Sequence, residues 1–261
     1  MQEGMIQQTK VCPPEDILLS CILDVGELLL ISGAEVMRVE DTITRLCNAY
    51  GFAKTDVFTI TSSIVLTVHT TDSRILTQTR RIRIHDTNLG RVACINEFSR
   101  KSCAHPLGIE EFRHSVEELR RFPSYPPWAR CCLYSVISAV FSVFFGGTAQ
   151  DALASAISGL LLFASLRFVS RLRINSILLH MLCSALAALA VIGMVSVGIG
   201  NNPDKIIIGN IMLLIPGIAL TSSLRDMING DTISGLLGLS EAVLKALAIA
   251  IGFAVVLMRT M

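Results

Sequence analysis

The chain has 261 residues, 52% hydrophobic and only 16% charged, with a mean hydropathy of +0.60. That is too apolar for an ordinary soluble protein and places the sequence in the membrane class. The net charge of +1 gives no electrostatic reason to expect a nucleic-acid partner.

The charges are unevenly placed. Most lie before Trp128, and the remainder of the chain is nearly continuous apolar sequence. This asymmetry predicts a cytoplasmic α+β domain over residues 1–125 and a transmembrane helical domain over 126–261. The eight cysteines contain no CxxC pair and no Cys/His cluster with metal spacing, so they read as reduced thiols and apolar fillers. No metal or other cofactor is expected.

Pro13-Pro14-Glu15-Asp16 reads as a helix start, with acids favouring the helix dipole. The apolar run Ile17 to Ile31 carries Asp24 and Glu27. At roughly 15 residues it is short for a span of about 20, and two acids do not suit a signal peptide. The helix is expected to run to about Ser32-Gly33. A second helix is predicted from Ala34 to Tyr50, with Val36, Val39, Ile43, Leu46 and Tyr50 on one face. Glu35, Arg38, Asp41, Thr42 and Arg45 fall on the other face. There Asp41–Arg45 and Glu35–Arg38 have the spacing of ion pairs, on a face that is either solvated or docked on the membrane domain.

From Thr55 to about Ile84 the pattern turns to period two, with strands predicted at 56–60, 64–68 and 75–79. Helices return over 88–102 and 108–122. Pro123 to Trp128 is a linker, and Tyr125 and Trp128 suit a membrane interface.

Five spans are predicted: 128–145, 149–169, 174–199, 205–224 and 236–258. Arg167, Arg171 and Arg173 lie in the second link, Arg225 in the fourth, and Arg120, Arg121 and Arg130 before or at the start of the first span. The first and third links carry only Lys205 as a cation. The positive-inside rule then puts the N-terminal domain in the cytoplasm and the C-terminus outside. Small residues crowd the second and third spans and allow close helix packing.

Pro216-Gly217 interrupts the fourth span, and Arg225, Asp226, Gly230 and Asp231 follow it closely. Proline removes a helical hydrogen bond, and in a bilayer the freed carbonyl needs protein or water. Asn175, His180 and Asn210, with Asp151 at a span edge and the pair Glu241–Lys245 near the start of the fifth span, are the other polar groups at predicted membrane depth. Such groups are costly there and are candidates for a transport path. No GxSxG, HExxH or P-loop occurs, so no enzymatic activity is expected. A broken helix among packed spans suits a secondary transporter.

Two stretches carry a family resemblance. One is SGAEVMRVEDTITRLCNAYG, Ser32 to Gly51; the other is LLIPGIALTSSLRDMINGDTISGLLGLSEAVLKAL, Leu213 to Leu247. In this order, and with an α+β domain ahead of five spans, the chain resembles the larger N-terminal module of the threonine/serine exporter family. The resemblance implies export of small amino acids, or of small dicarboxylates such as succinate in two-subunit members. Full-length members have about ten spans, so a chain with five resembles the split type. That type needs a second small membrane subunit, of about 150 residues with four or five spans. By matching position, Glu35, Arg38, Glu40 and Asp41 carry over from the first motif as a domain-coupling set. Pro216, Gly217, Arg225, Asp226, Gly230, Asp231 and Gly235 carry over from the second. The partners implied are the lipid bilayer, the small subunit, a small-molecule substrate and a second copy of the chain. A reading of a different class is a membrane-anchored regulatory or scaffold protein whose cytoplasmic domain binds a partner or metabolite.

Overall fold

The computed structural model describes residues 14–83, 86–123, 125–172 and 174–260. Pro13, Ile84, Ser124 and Arg173 lie outside the described residues. Packing divides the chain into two compact units. The first is Met1–Pro123 with Ser222–Leu237, and the second is Ser124–Thr221 with Gly238–Met261. Charge distribution along the sequence draws one boundary near residue 125; the structure adds the stretch after the Pro-Gly break to the first unit.

In the first unit, α1 (Pro14–Ile31) and α2 (Val36–Ala49) precede three strands, β1 (Lys54–Ile60), β2 (Ser63–His69) and β3 (Ile75–Arg81). Helices α3 (Leu89–Ala104) and α4 (Ile109–Arg120) follow. The strands form an antiparallel meander in the order β1-β2-β3, with Thr59 opposite Ile64 and Val65 opposite Thr79. Alternation along β2 buries Ile64, Leu66 and Val68.

The apolar run of α1 is the centre of this unit. Leu19, Ile22, Leu23 and Leu29 are fully buried in one cluster with Ile43 of α2, Ile64 and Leu66 of β2, Ile95 of α3 and Phe112 of α4. Each such side chain contributes about 1.5–3 kcal/mol by leaving water. The two acids of the run do not enter that core. Asp24 and Glu27 both face Arg80 of β3, at 3.2 and 3.8 Å.

The second unit contains α5 (Pro127–Phe144), α6 (Ala149–Val169), α7 (Ser176–Ser196) and α8 (Pro203–Leu214). It also holds the first part of α9 (Gly217–Ile228) and most of α10 (Thr232–Thr260). Four helical stretches are long and apolar enough to cross a membrane: Pro127–Phe144, Ala149–Leu172, Ser176–Ser196 and Thr232–Arg259. α8 and α9 together make a fifth if counted as one span, bent by 51° at Pro216.

The polarity of this unit is inverted relative to a soluble core. Leu133, Val136, Val140, Leu153 and Leu161 are on the outside, whereas Ser138, Ser142, Ser155, Ser158 and Asn210 are buried. Small residues let α5, α6 and α8 approach closely. A Cβ on Gly209 would lie 2.5 Å from both the Ser138 carbonyl and the Ser155 hydroxyl.

Candidate functional site

The first motif sits at the start of α2. Gly33 ends α1 with φ +86, and Glu35 stands just before α2 with extended backbone, φ −65 and ψ 146. That geometry undoes the expected Glu35–Arg38 pair, because Glu35 is not yet in the helical repeat. The expected Asp41–Arg45 pair forms, at 2.8 Å. The Glu35 carboxylate instead forms an ion pair with Arg225, from the end of α9.

The next residue carries a second link. The Val36 N–H donates to Asp226 Oδ1 at 3.2 Å. The Glu35 side chain makes no capping bond at this helix start. Asp226 supplies one from 190 positions away, where the helix dipole also favours an anion. Asp226 is only 6% exposed.

A third link runs through β1. It is an edge strand, so its outward N–H and C=O groups lack a strand partner. At Thr59 the N–H donates to Glu40 Oε1 at 2.7 Å. The Thr59 carbonyl accepts from the Ser234 hydroxyl at 3.4 Å. Burial pushes the Glu40 carboxyl above its usual range; the Thr59 N–H opposes that rise and the nearby Asp231 charge adds to it.

The turn between α9 and α10 brings these groups into register. The Gly230 N–H donates to the Met227 carbonyl at 3.2 Å and the Asp231 N–H to the Asp226 carbonyl at 2.9 Å. This is a Schellman ending with Gly230 at φ +101, a conformation that glycine adopts without steric cost. The Asp231 carbonyl then accepts from the Gly235 N–H at 2.9 Å and opens α10. Gly235 lets the two helices touch: a Cβ there would lie 2.6 Å from the Ser223 carbonyl.

The result is a cluster of four carboxylates, Glu35, Glu40, Asp226 and Asp231, into which Arg225 pairs. Chemically it can hold the α9–α10 turn against α2 and β1, and it can exchange a proton among crowded acids. Arg38 and Asp41 belong elsewhere, on an exposed groove between α2 and α3. Thr59 and Ser234 leave no trace in the sequence, because no local pattern marks a strand-edge carbonyl as the partner of a distant hydroxyl.

The remaining candidates lie in the second unit. Asn210 accepts from the Ser138 hydroxyl at 3.2 Å. Its amide donates to the Ser158 hydroxyl at 2.8 Å and the Ile206 carbonyl at 3.1 Å. Ser155 closes the network with a 2.7 Å contact to Ser138. Asn210 thereby ties α5, α6 and α8 together. At Pro216 the helix stops and restarts: the Ile215 N–H still reaches the Ile211 carbonyl, and the Leu220 N–H donates to the Pro216 carbonyl at 3.0 Å. Glu241 pairs with Lys245 at 2.7 Å, as their spacing predicts. No group of three or more acidic, histidine or cysteine side chains among the described residues is arranged to hold a metal ion.

Comparison with known proteins places these features in a family. The sequence profile of the threonine/serine exporter family matches residues 20–259. A Mycobacterium tuberculosis protein named "Probable threonine/serine exporter" is 22% identical over 237 residues, covering 90% of this chain. The chain spans only 45% of that relative's length. An Escherichia coli protein named "Probable succinate transporter subunit YjjP" is 24% identical over 232 residues, covering 87% of this chain and 88% of its own. No solved structure matches.

Proposed function

Because this chain belongs to the threonine/serine exporter family and is a multi-pass membrane protein, we propose that it is one subunit of a secondary exporter. Its substrates are small amino acids of the threonine/serine kind or small dicarboxylates. It works with a second, small membrane subunit.

The observation that carries this reading is the break at Pro216 in a long apolar helical pair. Transporters place substrate where spanning helices are interrupted, since unwound backbone there supplies polar groups to the route. Pro216-Gly217 lines that route, and Asn210 and Glu241 are its other polar groups. Arg225, in the last turn of the helix that follows the break, attracts the substrate carboxylate at the cytoplasmic mouth. Its guanidinium has five N–H donors and its side chain is 62% exposed, so pairing with Glu35 leaves donors for a second carboxylate. Asp226, or Asp231 behind it, carries the coupling proton. Glu35 and Glu40, rather than Arg38 and Asp41 of the same motif, link the N-terminal domain to this machinery.

The test is efflux of threonine, serine and succinate from cells that carry the partner subunit. Arg225→Ala and Asp226→Asn are expected to reduce efflux about tenfold or more, the scale of one lost charged hydrogen bond of roughly 1.5–3 kcal/mol. Wild-type efflux at normal membrane levels of either variant would overturn the assignment of that residue. No efflux of any of the three by the intact pair would overturn the substrate class.

A further inference from the structure

The groove between α2 and α3 has a volume of about 780 Å³ and lies wholly within the first unit. It shares only Glu35 with the carboxylate cluster. Arg38, Asp41, Thr42 and Arg45 line it from α2, with Glu35 just before that helix, and Asn96 and Arg100 line it from α3. Its charge balance is unusual for a helix surface, because the acids next to the arginines are already engaged. Asp41 is held by Arg45. Glu35, one turn before Arg38, is drawn away to Arg225. Glu97, one turn before Arg100, is held by Lys101 at 2.7 Å. Arg38 and Arg100 are thus left without an ion-pair partner among the described residues, on two helices that share one groove. Neutral hydrogen-bonding groups of Thr42 and Asn96 lie beside them.

We infer that this groove is a binding site for a short dicarboxylate, each carboxylate engaged by one of the two unpaired guanidinium groups. Planar guanidinium forks match carboxylates in a two-pronged geometry, and two of them on facing helices select two carboxylates over one. Thr42 and Asn96 orient the ligand. The site is separate from the proposed transport route, and it adjoins the route's machinery through Glu35, which borders the groove and holds Arg225. The negative charge of a dicarboxylate bound there repels the Glu35 carboxylate at the groove's edge and so biases the Glu35–Arg225 pair; resting on the proposed export function, cytoplasmic dicarboxylate regulates the exporter through this groove.

The experiment is titration calorimetry of the detergent-purified full chain with succinate, butyrate and inorganic phosphate. Saturable succinate binding is expected, weaker at high salt, with butyrate at least about tenfold weaker because one charged contact is missing. Titrated in an Arg225→Ala background, which removes the carboxylate contact proposed for the transport route, Arg38→Gln/Arg100→Gln is expected to lose succinate binding while keeping the melting profile of that background. Arg38→Lys/Arg100→Lys, which keeps the charge but not the fork, is expected to fall between the two. Absence of saturable binding, equal binding of succinate and butyrate, phosphate binding in place of succinate, or unchanged affinity in a folded glutamine variant would each overturn the site. Because binding is read without transport, these outcomes are independent of the efflux assays that test the proposed function.

Discussion

Glu35 and Asp226 show how differently two acids of one cluster act. The Glu35–Arg225 pair has side-chain exposures of 19% and 62%, so solvent screens it and its stabilisation is at most about 1 kcal/mol. Asp226 is buried and its bond to the Val36 N–H closes a helix start, so its removal costs roughly 1–3 kcal/mol. Thermal unfolding of the purified chain should therefore show a larger loss for Asp226→Ala than for Glu35→Ala, and the reverse order would contradict the burial argument. Glu40 gives a pH test. Its carboxyl is held above the usual glutamate range chiefly by burial, so the fold binds that proton more tightly than the unfolded chain does. Stability from this group is complete below the unfolded pKa and lost as pH rises through the folded one. Glu40→Gln, which keeps an acceptor for the Thr59 N–H, should flatten that decline; an unchanged pH slope of the melting temperature would remove Glu40 from the account.

At the scale of elements, the turn between α9 and α10 decides whether the second motif meets the first. Gly230 holds a left-handed conformation at φ +101, and alanine there costs about 1–2 kcal/mol. Gly230→Ala should lower the melting temperature and reduce efflux together, because Asp231 and Ser234 follow the turn directly. Loss of neither would mean that the turn tolerates a different backbone. Asp151 has a comparable role in the second unit, and a structural one. Its carboxylate accepts from the N–H groups of Thr148, Asn201 and Asn202 and from the Asn202 amide, so it ties the link before α8 to the start of α6. A carboxylate so fully engaged explains how an acid sits buried at a helix start.

For the whole molecule, the arginine distribution predicts the N-terminal domain in the cytoplasm and the C-terminus outside. A C-terminal reporter that is active only outside the cytoplasm checks this. Activity is expected, and a reporter active only inside would require an even number of crossings. That outcome would mean that the bent α8–α9 pair enters and leaves on one side, leaving four spans. Topology thus reads directly on the break at Pro216.

Composition, spacing and proline chemistry were enough to place this protein in its class, to find its helical and strand periodicities, and to locate the break. These properties act over a few residues and so leave a local trace. The two motifs are equally legible, though as separate stretches; their meeting is a product of the folded chain. Glu35 has Arg38 at helix spacing, and only the extended backbone before α2 turns it to Arg225 instead. Asp226 has no local reason to cap a helix 190 positions earlier, and Thr59 and Ser234 carry no sequence signal at all. Hydrogen bonds between distant segments depend on which backbone groups the fold leaves without partners, and that is set by three-dimensional packing rather than by any local pattern.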